Sequence, residues 1–209
     1  LRNSATGARM AIELHQRECT QPTDGESLQV ALRQLQLMES YLQRFLKLGR
    51  GRPMPQERVD LESLVADVLE LIRPACDHGK IRLTFLRPAE PLGVWGEAES
   101  LRELLTNLVL NGVEAAQRHG EIPPQVVVEL SVRGADRAVL RVKDSGPGPT
   151  EDASRRMFEP FVSDKPEGTG LGLYVARQIV EAQQGTIGWH RLDRMTCFTV
   201  ELPRMQGAG

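Results

Sequence analysis

No cysteine pair, no long apolar run and no large charge of either sign stands out in these 209 residues. The three cysteines, Cys19, Cys76 and Cys197, are far apart, odd in number and form no CxxC pair. That excludes a disulfide framework and a structural zinc site, and reads as a reduced, cytoplasmic compartment. The four histidines, His15, His78, His119 and His190, are equally scattered, none at metal-ligand spacing from another. A formal net charge of −2 supplies no field that would draw nucleic acid or an anionic membrane. No apolar run approaches the roughly 20 residues of a membrane helix, and no signal peptide opens the sequence. An anchor in a longer parent protein is left open.

What is present is ordinary for a globular chain: 40% hydrophobic and 26% charged residues, enough for one domain and a smaller module. Two periodic segments come first, from about Leu1 to Glu18 and from about Glu26 to Leu48. Pro22, Asp24 and Gly25 break the chain between them. In the second segment Leu28, Leu35 and Leu42 recur every seventh residue, with Ala31, Met38 and Phe45 as companions. That seam predicts a helical hairpin over residues 1–50, which buries its apolar stripe by pairing with a second copy into a four-helix bundle. Folding back on its own downstream domain is the alternative.

The run GRGRPMP, Gly49 to Pro55, breaks the periodicity and marks a linker at residues 51–56, with 57–209 as a second domain. There the periodicities predict a helix from Leu61 to Arg73 and a strand from Ile81 to Leu86. A helix from Glu99 to Gln117 follows. Strands over Val126–Val132 and Ala138–Val142 are separated by a turn near Gly134. A helix from Gly172 to Gln184 is stopped by Gly185, and strands close the chain at Thr186–His190 and Thr196–Leu202. The fold class expected is α+β: a helical hairpin, then an α/β sandwich with a mixed sheet.

Three clusters carry chemistry. Asn107 and Asn111 lie four apart on one helix and so face the same way. A carboxamide oxygen suits Mg2+, whereas an amide is too weak a proton acceptor for general base catalysis. Asp144-Ser-Gly146-Pro-Gly148 follows a strand; its glycines clear space for a flat ring, and Asp144 can accept a hydrogen bond from an amine. Gly168-Thr169-Gly170-Leu171-Gly172 opens a helix, where free N–H groups and the dipole suit phosphate, with Lys165 just upstream. This is neither a P-loop nor a dinucleotide fingerprint. Taken singly, the first two clusters have bland explanations as solvated amides and a surface turn.

In this order the clusters resemble the N box and the two glycine boxes of two-component sensor histidine kinases, whose catalytic domain belongs to the gyrase, Hsp90 and MutL type ATPase superfamily. Met157-Phe158-Glu159-Pro160-Phe161 resembles the phenylalanine box between them. The resemblance implies ATP and Mg2+ as cofactors, bound between the N-box helix and a lid over Phe158 to Gly170. It assigns the metal to Asn111, the phosphate neighbourhood to Asn107 and adenine recognition to Asp144. It carries ATP binding over to Gly146, Gly148, Phe158, Lys165, Gly168, Thr169, Gly170, Leu171 and Gly172. Hydrolytic relatives place a glutamate base where this chain has Asn107, which fits a kinase that withholds ATP from water. The chain departs from the pattern in Gly112 after Asn111, in the acid at Glu114 where a base is common, and in Pro149 after the first glycine box.

The family's first helix carries the phosphoacceptor within His-Glu-x-Arg/Lys-Asn/Thr-Pro-Leu. Leu1-Arg2-Asn3-Ser4-Ala5 looks like the tail of that motif, so the acceptor is expected immediately before Leu1, with Ser4 at the proline position and a straighter helix there. His15 is followed by Gln16, not an acid, and is a poor substitute. The resemblance also implies a homodimer through residues 1–50, a response regulator receiver domain as partner and an upstream sensor domain. Two other readings remain open: a kinase-like dimer acting chiefly as a response-regulator phosphatase or nucleotide sensor, and an anti-sigma-type serine kinase. The helical hairpin counts against the serine kinase.

Overall fold

The computed structural model describes residues 56–118, 122–163 and 170–205, all within the second of two compact units, 54–209. The expected hairpin over 1–50, the phosphoacceptor region, His15 and the straight helix at Ser4 lie outside the described residues, as do Lys165, Gly168, Thr169 and His119. No described helix is long and apolar enough to cross a membrane.

The domain opens with strand β1 (Glu57–Asp60), which pairs antiparallel with β3 (Gly93–Gly96) as a small separate sheet. Asp60 also caps the next helix, α1 (Leu61–His78): its carboxylate accepts from the Glu62 N–H at 2.9 Å. Helix α1 runs five residues past the expected end at Arg73, straight through Pro74. A proline here removes the bond to the Glu70 carbonyl. Both residues are exposed, which leaves that carbonyl within reach of solvent, while Cys76 on the next turn is fully buried and holds the helix down.

The main sheet has five strands in the order β2-β4-β5-β7-β6, comprising β2 (Arg82–Leu86), β4 (Gln125–Arg133), β5 (Arg137–Asp144), β6 (Thr186–Leu192) and β7 (Met195–Pro203). Strands β2 and β4 are parallel and the other pairs antiparallel, so the sheet is mixed as expected. Parallel neighbours need a crossover, and helix α2 (Ala98–Ala116) lies within that connection. It packs on one face of the sheet with α1 and with α4 (Gly172–Ala182), around Val126, Val128, Leu140, Val142, Phe198 and Val200. The opposite face is polar. There Glu129 accepts from Lys143 Nζ at 2.6 Å and from Arg141 Nη1 at 2.9 Å. The Lys143 hydrogen bond is the main reason its carboxyl titrates below the ordinary range, against the opposing effect of partial burial; the charges of Lys143 and Arg141 add to it.

Two local expectations are corrected. Gly185 does not supply the left-handed stop after α4. Gln184 does, at φ 56°. Gly185 is needed for another reason: a Cβ there would stand 2.5 Å from the Glu201 carbonyl oxygen of β7. Strands β6 and β7 also extend further toward each other than expected. They are joined by Asp193 and Arg194 alone, both left-handed (φ 51° and 65°). This is the geometry of a two-residue hairpin turn made without the usual glycine, so the sequence carried no turn signal there. The short helix α3 (Glu151–Arg156), capped by the Thr150 hydroxyl, was likewise not expected.

Candidate functional site

Helix α2 is where the clusters meet. Leu101, Leu104, Leu105, Leu108 and Val109 are buried and commit one face to the core. Asn107 and Asn111 lie on the flank of that face, both half-buried. A Cβ on Gly172, the first residue of α4, would stand 4.0 Å from Asn107 Oδ1. The amide of the first cluster therefore sits beside the glycine-led helix start of the third. Asn107 Nδ2 is buried and has no hydrogen-bond partner among the described residues. Leu171, the N-cap of α4, offers no side-chain acceptor, and the first turn carries no acid. A buried amide donor and an uncapped helix start side by side need an acceptor, and an anionic group fits them.

The other end of α2 meets the second cluster. A Cβ on Gly112 would stand 3.5 Å from Asp144 Cβ, and one on Gly146 would run into the Ala115 carbonyl oxygen at 2.7 Å. Asp144 is buried, 1% exposed. Its Oδ1 accepts from the Gly146 N–H at 2.9 Å, which fixes the carboxylate's orientation. Ser145 ties the loop to β4, donating its N–H to the Gln125 carbonyl at 3.1 Å and accepting from the Gln125 N–H at 2.9 Å. Gly148 needs its φ of +83°. The loop is thus pressed onto the helix at a point where no side chain fits between them.

The described ends of the expected lid are clasped together. Phe161 N–H donates to the Gly170 carbonyl at 3.1 Å. Gly170 has φ +65°, and a Cβ on it would lie 2.5 Å from the Phe161 carbonyl carbon. The Phe158 ring stands edge-on to Phe198 of the core, centroids 6.5 Å apart, and anchors the Phe161 side of the clasp. Phe161 is left-handed (φ 66°) and 77% exposed.

Of the residues expected from sequence, the structure brings Asn107, Asn111, Asp144, Gly146 and Gly172 onto one helix and its two neighbours. Gly148 lies in the loop of Asp144, and Gly170 and Leu171 lead into α4. Sequence reasoning missed Thr196 and Arg191. Thr196 pairs with Asp144 across β5 and β7 and is buried. A threonine heading the core-facing row Phe198, Val200, Leu202 was the available signal. Among the described residues no three His, Cys, Asp or Glu side chains gather as a metal cluster.

A mixed sheet with helices on one face, an amide-bearing crossover helix and a buried carboxylate beyond the neighbouring strand define the class of the gyrase and Hsp90 ATPases. Residues 96–206 match the family described as histidine kinase-, DNA gyrase B-, and HSP90-like ATPase. Sensor histidine kinase ZraS of Klebsiella oxytoca is 34% identical over 171 residues, which are 79% of this chain and 36% of ZraS. The catalytic domain of histidine kinase ThkA in a nucleotide-free form superposes with TM-score 0.64 at 27% identity, over 72% of this chain and 97% of that one. ThkA solved with the response regulator protein TrrA shares the fold, with TM-score 0.74 at 20% identity, over 100% of this chain and 60% of that one. This chain belongs to the two-component sensor histidine kinases. It spans about a third of the length of curated relatives such as ZraS.

Proposed function

We propose that the chain is the catalytic core of an ATP-dependent protein-histidine kinase. It binds Mg-ATP, phosphorylates a histidine upstream of Leu1 within a homodimer of the helical hairpin, and supports onward transfer to an aspartate of a response regulator receiver domain. The observation that carries this reading is the unpartnered Asn107 amide beside the uncapped start of α4, on the same helix that presses on the Asp144 loop.

Each residue has a task in that reading. Asp144 accepts from the exocyclic amine of adenine, and Gly146 and Gly148 leave room for the ring. The Asn107 amide nitrogen and the first N–H groups of α4 take phosphate oxygens, with Lys165, Gly168 and Thr169 closing over them. Asn111 would hold Mg2+ through its carboxamide oxygen, and the ion would supply charge neutralisation for the phosphate oxygens. An imidazole nitrogen of the acceptor histidine forms a bond to the γ-phosphorus as the bond to the β,γ-bridging oxygen breaks, and ADP leaves. Such transfer needs positioning and charge stabilisation more than acid–base chemistry. An asparagine at 107 supplies a donor and no base, so water is not activated.

Calorimetry of the chain with Mg-ADP tests the site directly. Asp144→Asn keeps the acceptor for Gly146 N–H and removes the carboxylate, and should weaken binding about tenfold or more. With the chain extended upstream of Leu1, labelled ATP should leave acid-labile, base-stable label, and Asn111→Ala should abolish it. No heat on nucleotide addition, or full labelling of Asn111→Ala, overturns the reading.

A further inference from the structure

We propose that Arg191 is a positioning residue for adenine recognition, holding the Asp144–Gly148 loop and the Thr196 hydroxyl in their reading geometry; this rests on the nucleotide reading of the site given above. The core-facing row of β6 runs Ile187, Trp189, Arg191: these pair with Val200, Phe198 and Thr196 of β7. The row turns from apolar to cationic where the sheet leaves the core and reaches the glycine loop. There Arg191 Nη1 donates both its protons, one to the Gly146 carbonyl at 3.0 Å and one to Thr196 Oγ1 at 3.2 Å. Nη2 donates to the Arg194 carbonyl at 3.1 Å, across the hairpin turn.

The consequence follows from which groups are gripped. Gly146 is held on both sides, its N–H by Asp144 Oδ1 and its carbonyl by Arg191. The peptide that orients the carboxylate is therefore itself fixed by the guanidinium. Thr196 Oγ1 accepts from Arg191, so its own proton is turned away from the guanidinium, on the strand position opposite Asp144. The fit is close: a Cβ on Gly148 would stand 2.7 Å from Nη1. Planar, forked donors are what this needs, since a carbonyl, a hydroxyl and a second carbonyl are engaged at once. The left-handed Asp193–Arg194 turn, unfavourable for residues with a Cβ, brings the Arg194 carbonyl to the fork.

The test measures binding of ADP and of inosine diphosphate, which lacks the exocyclic amine, by calorimetry on the whole chain, with thermal melts in parallel. Arg191→Met keeps the stem and removes every donor. It should weaken ADP about tenfold, the size of one charge-assisted hydrogen bond. Inosine diphosphate should be weakened much less, so the preference for ADP shrinks while the melting temperature holds. Unchanged ADP affinity overturns the proposal, and so does an equal loss for both nucleotides, which is what general loosening would give. If Arg191→Met does not fold, Arg191→Lys is read by the same ratio: a reduced preference supports the proposal and an unchanged one overturns it. If the unaltered chain binds neither nucleotide, the nucleotide reading itself fails and this proposal falls with it.

Discussion

Replacing Gly112 by alanine should make the protein more stable, although the residue is buried beside the site's carboxylate. Gly112 lies inside α2 without a positive φ. An alanine there gains about 1 kcal/mol of helix propensity. Its methyl would lie 3.5 Å from Asp144 Cβ and 3.7 Å from both γ-carbons of Val126, ordinary contact distances that require no shift. Burying one methyl adds up to about 0.8 kcal/mol. Together these give about 1–2 kcal/mol, or about 3–6 °C in melting temperature for a domain of this size. Circular dichroism melts and urea unfolding should agree, the midpoint rising at constant m. Affinity for Mg-ADP should stay within about threefold, since no group that reads the nucleotide is displaced. A lower melting temperature, or an ADP affinity that collapses, would show that the helix and the Asp144 loop approach more closely than these distances say, and would refute the reasoning.

Gly170→Ala should do the opposite. Its methyl would sit 2.5 Å from the backbone of Phe161 and Val162 in a left-handed residue, so the clasp should open, with ADP affinity falling more than domain stability in paired titrations and melts. Acid should act through Glu129. Its carboxyl is held below the ordinary range by Lys143 and Arg141, so its contribution is full above the unfolded pKa and lost as pH falls through the lower folded value. Lys143→Met should therefore melt below the unaltered protein at pH 7, the gap closing as pH falls below the ordinary carboxylate range; a gap independent of pH would remove this account.

The sequence showed the domain's elements where periodicity and chemistry agreed. Helix α2 was legible within a residue at each end because its apolar spacing is regular. Asn107 and Asn111 stood out as amides interrupting it. The clasp and the pressed loop were half legible: the glycines were visible, but which backbone each approaches was not. Gly185 shows the difference well. Its type suggested a helix stop, while its use is a close pass against β7, a long-range contact that no local pattern encodes. Strands β1 and β3 were missed because each is only four residues long and carries charge or glycine. Arg191 was invisible for a similar reason. An arginine at the end of an edge strand looks like solvated surface until the turn at Asp193 and Arg194 brings it under Gly146.

Because one rigid helix carries both halves of the site, it also sets a length. The eight helical steps from Asn107 to Ala115 span about 12 Å of α2. The donors left without an acceptor among the described residues lie at the first position, and the loop proposed to read an amine presses on the last. A ligand engaging both must carry an anionic tail and a flat, amine-bearing head held well apart. Adenosine satisfies only the head and pyrophosphate only the tail, whereas ADP satisfies both within one molecule. Joining the two parts makes the second contact intramolecular. ADP should therefore bind more tightly than adenosine and Mg-pyrophosphate by far more than either alone suggests, by at least about a hundredfold over each. Competition titrations on the unaltered chain measure this. Adenosine binding as tightly as ADP would mean that the Asn107 amide and the start of α4 contribute nothing to holding the ligand.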